Sequence, residues 1–162
     1  MIVLKPTTAG AKASRAWKIT AAAVLGFAVL APFYSTLPAQ EKSRSVWDGV
    51  YTEEQARRGQ TLYNQQCSTC HGDTLSGGEM APPLAGGEFL ANWNGLTLGD
   101  LFERIRTTMP LNKPGMLSRQ TNADILAYML DVNKFPDGKT ELPRETEVLK
   151  QIKIEATKPE HF

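Results

Sequence analysis

The sequence predicts an all-α domain, and three observations carry that reading. Helix-start signals recur at Thr52-x-x-Gln55, at Thr97-x-x-Asp100 and at Ser118. Behind the second of them, Leu98, Leu101, Phe102 and Ile105 fall at the i, i+3, i+4 and i+7 spacing of one helix face. Residues 53–66, by contrast, carry none of the apolar-polar alternation that a strand requires. A chain of 162 residues then suggests one domain once processing is allowed for.

The first 39 residues differ in kind from the rest. Lys5, Lys12, Arg15 and Lys18 precede an apolar run at 19–31, and no acidic residue occurs before Glu41. That run is short for a membrane span and fits the apolar core of a secretory signal. Leu37-Pro38-Ala39 places a small residue at a cleavage point before Gln40. The alternative is an uncleaved anchor over residues 19–37, kinked at Pro32, and only then would the protein touch a membrane. On either reading the folded part is exported, and a periplasmic location is expected. Removing residues 1–39 takes four of the 18 basic residues and none of the 17 acidic ones, leaving a net charge of −3. Such a balance speaks against a nucleic-acid partner, which would need a basic patch.

Residues 40–51 read as a polar linker. The first helix is expected from Thr52 to about Gln66, with Glu53 and Glu54 in its electropositive first turn. Ala56, Gly59 and Tyr63 share one face. Glycine inside a helix costs roughly 1 kcal/mol against alanine, so Gly59 is expected to mark a close helix crossing, the alternative being a plain weak spot in the helix. Tyr128, in the last main helix, is placed to meet Gly59 or Tyr63.

Cys67-Ser68-Thr69-Cys70-His71 follows, with both cysteines of the chain and one of its two histidines. This is the C-x-x-C-H spacing of covalent c-type haem attachment. One helical turn brings both sulfurs to the same edge of the ring, where each adds to a vinyl group, and the adjacent imidazole reaches the iron. Three other readings compete. A structural zinc site needs about four Cys or His ligands, and only His161 remains. A thioredoxin-like dithiol belongs at a strand end in a βαβ unit, and no strand precedes it. A disulfide across two residues would restrain little of the unfolded chain.

Residues 72–87 read as a Gly- and Pro-rich loop. Its rigid stretch, Ala81-Pro82-Pro83-Leu84-Ala85-Gly86, can supply a carbonyl to the second ring nitrogen of a haem-ligating histidine, or be an ordinary surface turn. Phe89, Leu90 and Trp93 form an apolar cluster. They either pack beside a haem edge, with the Trp93 indole N–H turned to a propionate, or are plain core. Four methionines follow the motif. Met80 is too near His71 to cross the ring, Met129 lies on the apolar face of the last helix, and Met116 lacks a rigid flank. Met109 is preferred as the soft sulfur ligand, because Pro110 holds it extended and enough chain separates it from His71.

Ser118 caps the last main helix, whose broad apolar face comprises Ile125, Leu126, Tyr128, Met129, Leu130 and Val132. Residues 133–143 read as turns. A short helix is expected over 145–154, with Val148, Leu149 and Ile152 packing back on the domain, and residues 155–162 are expected to fray.

Taken together these residues resemble a class I c-type cytochrome over 52–133: first helix, CSTCH, proline loop, middle helix, Thr108-Met109-Pro110, and a last helix containing Ala127-Tyr128. The chain is also similar to the cytochrome domains that accompany periplasmic quinoprotein dehydrogenases. The resemblance implies a cytochrome c-like fold, with helices wrapped around one covalently bound haem c. It implies thioether bonds at Cys67 and Cys70, His71 as proximal and Met109 as distal iron ligand, and a Pro82 carbonyl that accepts from the His71 imidazole. The expected organisation is a leader at 1–39, a linker at 40–51, the cytochrome domain at 52–133 and an extension at 134–162. The expected function is electron transfer rather than enzymatic catalysis. Redox proteins are the expected partners: a dehydrogenase, an oxidase or a quinol-oxidising complex. A five-coordinate haem protein of peroxidase or gas-binding type is the alternative from another class, and it would need an open iron position.

Overall fold

Thr52 starts the first helix, α1 (Glu53–Gln66), by accepting the Gln55 N–H at 3.1 Å. These helices come from a computed structural model that describes residues 43–160, a stretch lying within one compact unit, 40–162. The expected leader, its cleavage point and His161 lie outside the described residues. The reciprocal half of the capping box at Thr52 is not made. The Gln55 side chain is instead fully buried, donating through Nε2 to Asp124 Oδ1 at 3.2 Å and to the Leu142 carbonyl at 3.1 Å. Its Oε1 accepts the Leu142 N–H at 2.6 Å. A buried amide must find partners for both ends, and these three bonds supply them.

The last main helix, α5 (Arg119–Val132), is capped by Ser118 and packs along α1 more extensively than any other pair of elements. Ala56, Gly59 and Tyr63 of α1 are buried, as is the run 122–130 of α5. The Tyr63 and Tyr128 rings meet at 5.5 Å between centroids, a tilted pairing worth about 0.5–1.5 kcal/mol beyond its burial. At the crossing, a Cβ on Gly59 would run into the Asp124 backbone carbonyl and stand 3.0 Å from the Tyr128 Cβ. Only glycine lets the two helices approach this closely.

The segment expected to be a linker is part of the fold. Arg44–Ser45 forms a two-residue strand, β1, paired in parallel with β2, Ile152–Lys153, near the C-terminus. Ser45 then starts a single 3-10 turn, Val46–Asp48, through a reciprocal bond with Asp48. Val46, Val50 and Tyr51 are buried, and the Tyr51 hydroxyl donates to the Phe135 carbonyl at 2.7 Å. The extension packs on the domain through Phe135, Leu142, Leu149, Ile152 and Ile154. It differs from expectation in three details. Its helix, α6, is only Thr146–Leu149, because the chain turns to strand at Ile152. Val148 is 40% exposed rather than packed. Glu155 and Ala156 do not fray: the Trp47 indole N–H donates to the Glu155 carbonyl, and the Ala156 N–H donates to Asn94 Oδ1, both at 2.9 Å.

Two helices lie between the motif and α5. The shorter, α3 (Gly86–Trp93), covers the Phe89, Leu90 and Trp93 cluster, which the sequence reading left without secondary structure. The longer, α4 (Leu98–Thr108), opens with the expected capping box, in which Thr97 accepts from Asp100 N–H and Asp100 accepts from Thr97 N–H. Leu98, Leu101 and Phe102 form its buried face. On its outer side the Glu103 carboxylate accepts from Arg106 and from the Thr146 hydroxyl and lies near Arg119. Those bonds, led by Arg106, hold its carboxyl down to about 2 against an ordinary 4.5. A depressed carboxyl contributes stability that is fully present above its unfolded value and is lost as pH falls through its folded value. The stability gap between wild type and Glu103→Gln should therefore be open at neutral pH and close between about pH 4.5 and 2. Solvent screening keeps it to about 1 kcal/mol. Denaturation midpoints of both proteins across that range measure it, and a gap independent of pH would show that the ionised carboxylate adds nothing.

Candidate haem site

Cys67 ends α1, its N–H still bonded to the Tyr63 carbonyl at 2.8 Å, and its φ of −126° breaks the helix axis. A single turn, α2 (Ser68–His71), follows. The Cys70 and His71 N–H groups return to the Cys67 carbonyl at 3.1 and 3.0 Å, so Cys67 and Cys70 stand one turn apart on one side. Both thiols are free, Cys67 half-buried and Cys70 exposed. Burial, and then the neighbouring Cys70, push the Cys67 thiol up to about 11. A redox-active dithiol needs a readily formed thiolate, so this environment counts against a thioredoxin-like role. Among the described residues, which do not include His161, no three His, Cys, Asp or Glu side chains converge to hold a metal ion.

His71 is almost fully buried, and its Nδ1 lies 2.9 Å from the Pro82 carbonyl oxygen. A carbonyl only accepts, so Nδ1 carries the proton, and the lone pair of the neutral ring resides on Nε2. The ring is thus fixed in the tautomer a metal requires. The loop's own geometry brings Pro82 there. The Gly77 N–H donates to the His71 carbonyl at 2.9 Å, and the Gly78 N–H to the Ala81 carbonyl at 2.9 Å. Gly77 has φ +73°, and a Cβ on it would press into the backbone of Pro82 and Pro83 at 2.6–2.7 Å, so the return of the chain depends on glycine. Leu84 N–H to the Leu75 carbonyl, 2.8 Å, closes the loop over the fully buried Leu75.

Three residues that hold this arrangement escaped the sequence reading in that role. The Tyr63 hydroxyl donates to the Gly72 carbonyl at 2.7 Å, tying α1 to the residue after the motif. Burial raises its pKa, so it stays a donor. Asn133, just past α5, donates to the Leu84 carbonyl at 3.0 Å and accepts the Gly86 N–H at 3.0 Å, pinning the far end of the proline loop. Gly77 is the third. An Asn directly after a helix is a common cap, a local signal that points to its position but not to its distant partners.

Met109 is the C-cap of α4, extended at φ −120° and ψ 154°, half-buried, with its N–H on the Ile105 carbonyl at 2.9 Å. The other methionines stand apart from it in burial. Met80 is 81% and Met116 53% exposed, while Met129 is packed in the core. Trp93 closes α3, its ring 6.4 Å from that of Phe89. With Leu84, Leu90, Ile105 and Leu117 it packs on the core yet stays only partly buried. The donor set fits a c-type haem: two thiols one turn apart, an imidazole with Nε2 free to ligate, and a half-buried thioether on an extended segment.

Residues 54–129 match the family described as cytochrome c oxidase, cbb3-type, subunit III, just under half of the chain. The match begins at the start of α1, takes in the motif and the proline loop, and ends within α5. This chain therefore carries a class I c-type cytochrome domain, all-α in fold and built for electron transfer. Such a domain implies a haem c. Among solved structures, the sulfane dehydrogenase SoxCD from Paracoccus pantotrophus is similar, with 21% identity and a TM-score of 0.47. The alignment covers 67% of this chain and 61% of that one. No curated protein matches.

Proposed function

We propose that the protein is an exported, periplasmic electron carrier that holds one haem c through thioether bonds from Cys67 and Cys70. His71 and Met109 are its axial ligands in this reading. The observation that carries it is the bond from His71 Nδ1–H to the Pro82 carbonyl, which leaves Nε2 to serve as the ligand. Bound there, the haem supplies a one-electron ferric–ferrous couple, whose potential a methionine ligand raises. The residues of the chain do the rest: the C-x-x-C turn fixes the ring edge, Pro82 orients the imidazole, and Met109 closes the sixth position. Trp93, half-buried at the end of α3, is assigned to packing along the haem edge with its indole N–H toward a propionate. Export is supported by the basic and apolar leader and by the need to join two cysteines to haem outside a reducing compartment. Partners are redox proteins met through a small transient interface, a dehydrogenase, an oxidase or a quinol-oxidising complex. Among the described residues no helix is long and apolar enough to cross a membrane.

Covalent attachment is expected to survive denaturation. A haem-stained denaturing gel of the matured protein should show a coloured band at the polypeptide, kept after acid–acetone extraction. Cys67→Ala with Cys70→Ala should abolish it. Haem lost entirely to acid–acetone from the wild type would exclude the thioether bonds.

A further inference from the structure

The segment that carries Met109, residues 109–118, leaves α4 and enters α5, and a part of the chain beyond the cytochrome match holds both of its ends. On the α4 side, Glu103 accepts from Arg106 Nη2 at 2.6 Å and from the Thr146 hydroxyl at 2.5 Å. On the α5 side, Arg119 donates through Nε to the Arg144 carbonyl at 2.9 Å and through Nη2 to Thr146 Oγ1 at 2.5 Å. Its guanidinium also lies over the Phe102 ring, 5.2 Å from the centroid, and Nη1 stands 3.9 Å from Glu103. The Thr146 hydroxyl is the shared node. With a single proton, it donates to the carboxylate and accepts from the guanidinium, so both ends of the loop are bonded to one oxygen. The loop itself has little else to shape it. Residues 111–116 are all exposed, and their internal backbone bonds are Lys113 N–H to Pro110 at 2.9 Å and Met116 N–H to Lys113 at 3.3 Å. With so few backbone bonds of its own, the loop depends on where the rest of the chain holds its two ends.

We propose that residues 144–146 of the extension brace the Met109 loop: the Glu103–Thr146–Arg119 chain sets the separation of the loop's two ends and so holds the Met109 thioether where it serves as ligand. The ligand half of this statement rests on the axial assignment proposed above; the loop half does not. Thr146 and Arg119 are positioning residues, acting on the site through the loop and not by contact with the haem.

The test uses the haem-loaded protein and three variants: Thr146→Val, which removes the hydroxyl at equal size, Arg119→Gln, and Thr146→Ser, which keeps the hydroxyl. Hydrogen exchange at the Met109, Lys113 and Met116 amides reads the loop. The ferric near-infrared sulfur-to-iron charge-transfer band, followed with temperature beside the far-ultraviolet helix signal, reads the ligand. Thr146→Val and Arg119→Gln should exchange about tenfold faster at those three amides, the size expected for losing a charge-assisted hydrogen bond, with α1 amides unchanged. Both should lose the band well before the helices melt, and Thr146→Ser should behave as wild type. Loop amides exchanging at the wild-type rate, or rising equally in α1, would overturn the brace. A wild type lacking the band overturns Met109 as ligand, while the exchange result still decides whether the loop is braced.

Discussion

Replacing Gly59 with alanine should destabilise the domain by about 2–3 kcal/mol, the upper part of the range for overpacking a close contact. The added methyl would meet the Asp124 carbonyl carbon and oxygen, which are backbone and cannot swing aside as a side-chain tip would. α1 and α5 must then separate along the most extensive packing in the fold. Separation also strains the bonds that Asp124 accepts from Gln55 at 3.2 Å and Arg58 at 3.3 Å. Alanine is the better helix former by about 1 kcal/mol, so a loss of stability in Gly59→Ala reports the crossing and not helix propensity. Denaturant unfolding of the haem-loaded protein should show a lower midpoint at unchanged slope. An equal or higher midpoint would mean that the helices do not approach as closely as Gly59 allows.

That crossing was legible in the sequence because its parts are local: a glycine inside an otherwise helical pattern, and a large aromatic on the opposed helix. The cap at Ser118 and the capping box at Thr97 were legible for the same reason, since each is written within four residues. What the sequence reading missed depends on partners far along the chain. Nothing in Arg44-Ser45 announces pairing with Ile152-Lys153, so residues 40–51 looked like a linker. Gln55 fits a capping box locally, but the buried Leu142 backbone offers its amide two partners at once and wins. The eight-residue α3 opens on Gly86-Gly87, a pair that reads as loop, and its three apolar residues are too few to show a period. In the site, the motif and the proline stretch stood out by composition. Gly77, Tyr63 and Asn133 did not, because their role is to return one piece of backbone to another.

The second large effect is expected at Met109. In the proposed function, with His71 oriented by Pro82, the Met109 thioether fills the sixth position, where it would exclude other ligands and raise the reduction potential. Met109→Ala should therefore lower the potential, abolish the ferric near-infrared sulfur-to-iron band, and let carbon monoxide bind the ferrous protein stoichiometrically. Met116→Ala and Met80→Ala should do none of these. Met80 lies too near His71 in the chain to cross the ring, and Met116 lacks the rigid flank that Pro110 gives Met109. The fold should survive Met109→Ala, because Met109 is only half-buried and α4 is fastened through Leu98, Leu101 and Phe102. If Met116→Ala removed the band instead, the distal ligand would lie seven residues further along the same exposed loop, and the brace at Thr146 would hold the wrong residue.

The most direct test of the whole account is made on the wild type alone, by recording the ferric near-infrared spectrum and then exposing the ferrous protein to carbon monoxide. A carrier with His71 and Met109 on the iron should show the sulfur-to-iron band and leave the ferrous spectrum unchanged by the gas. A protein that lacks the band and binds carbon monoxide at once has an open iron position, and it would be a gas-binding or peroxidase-type haem protein instead.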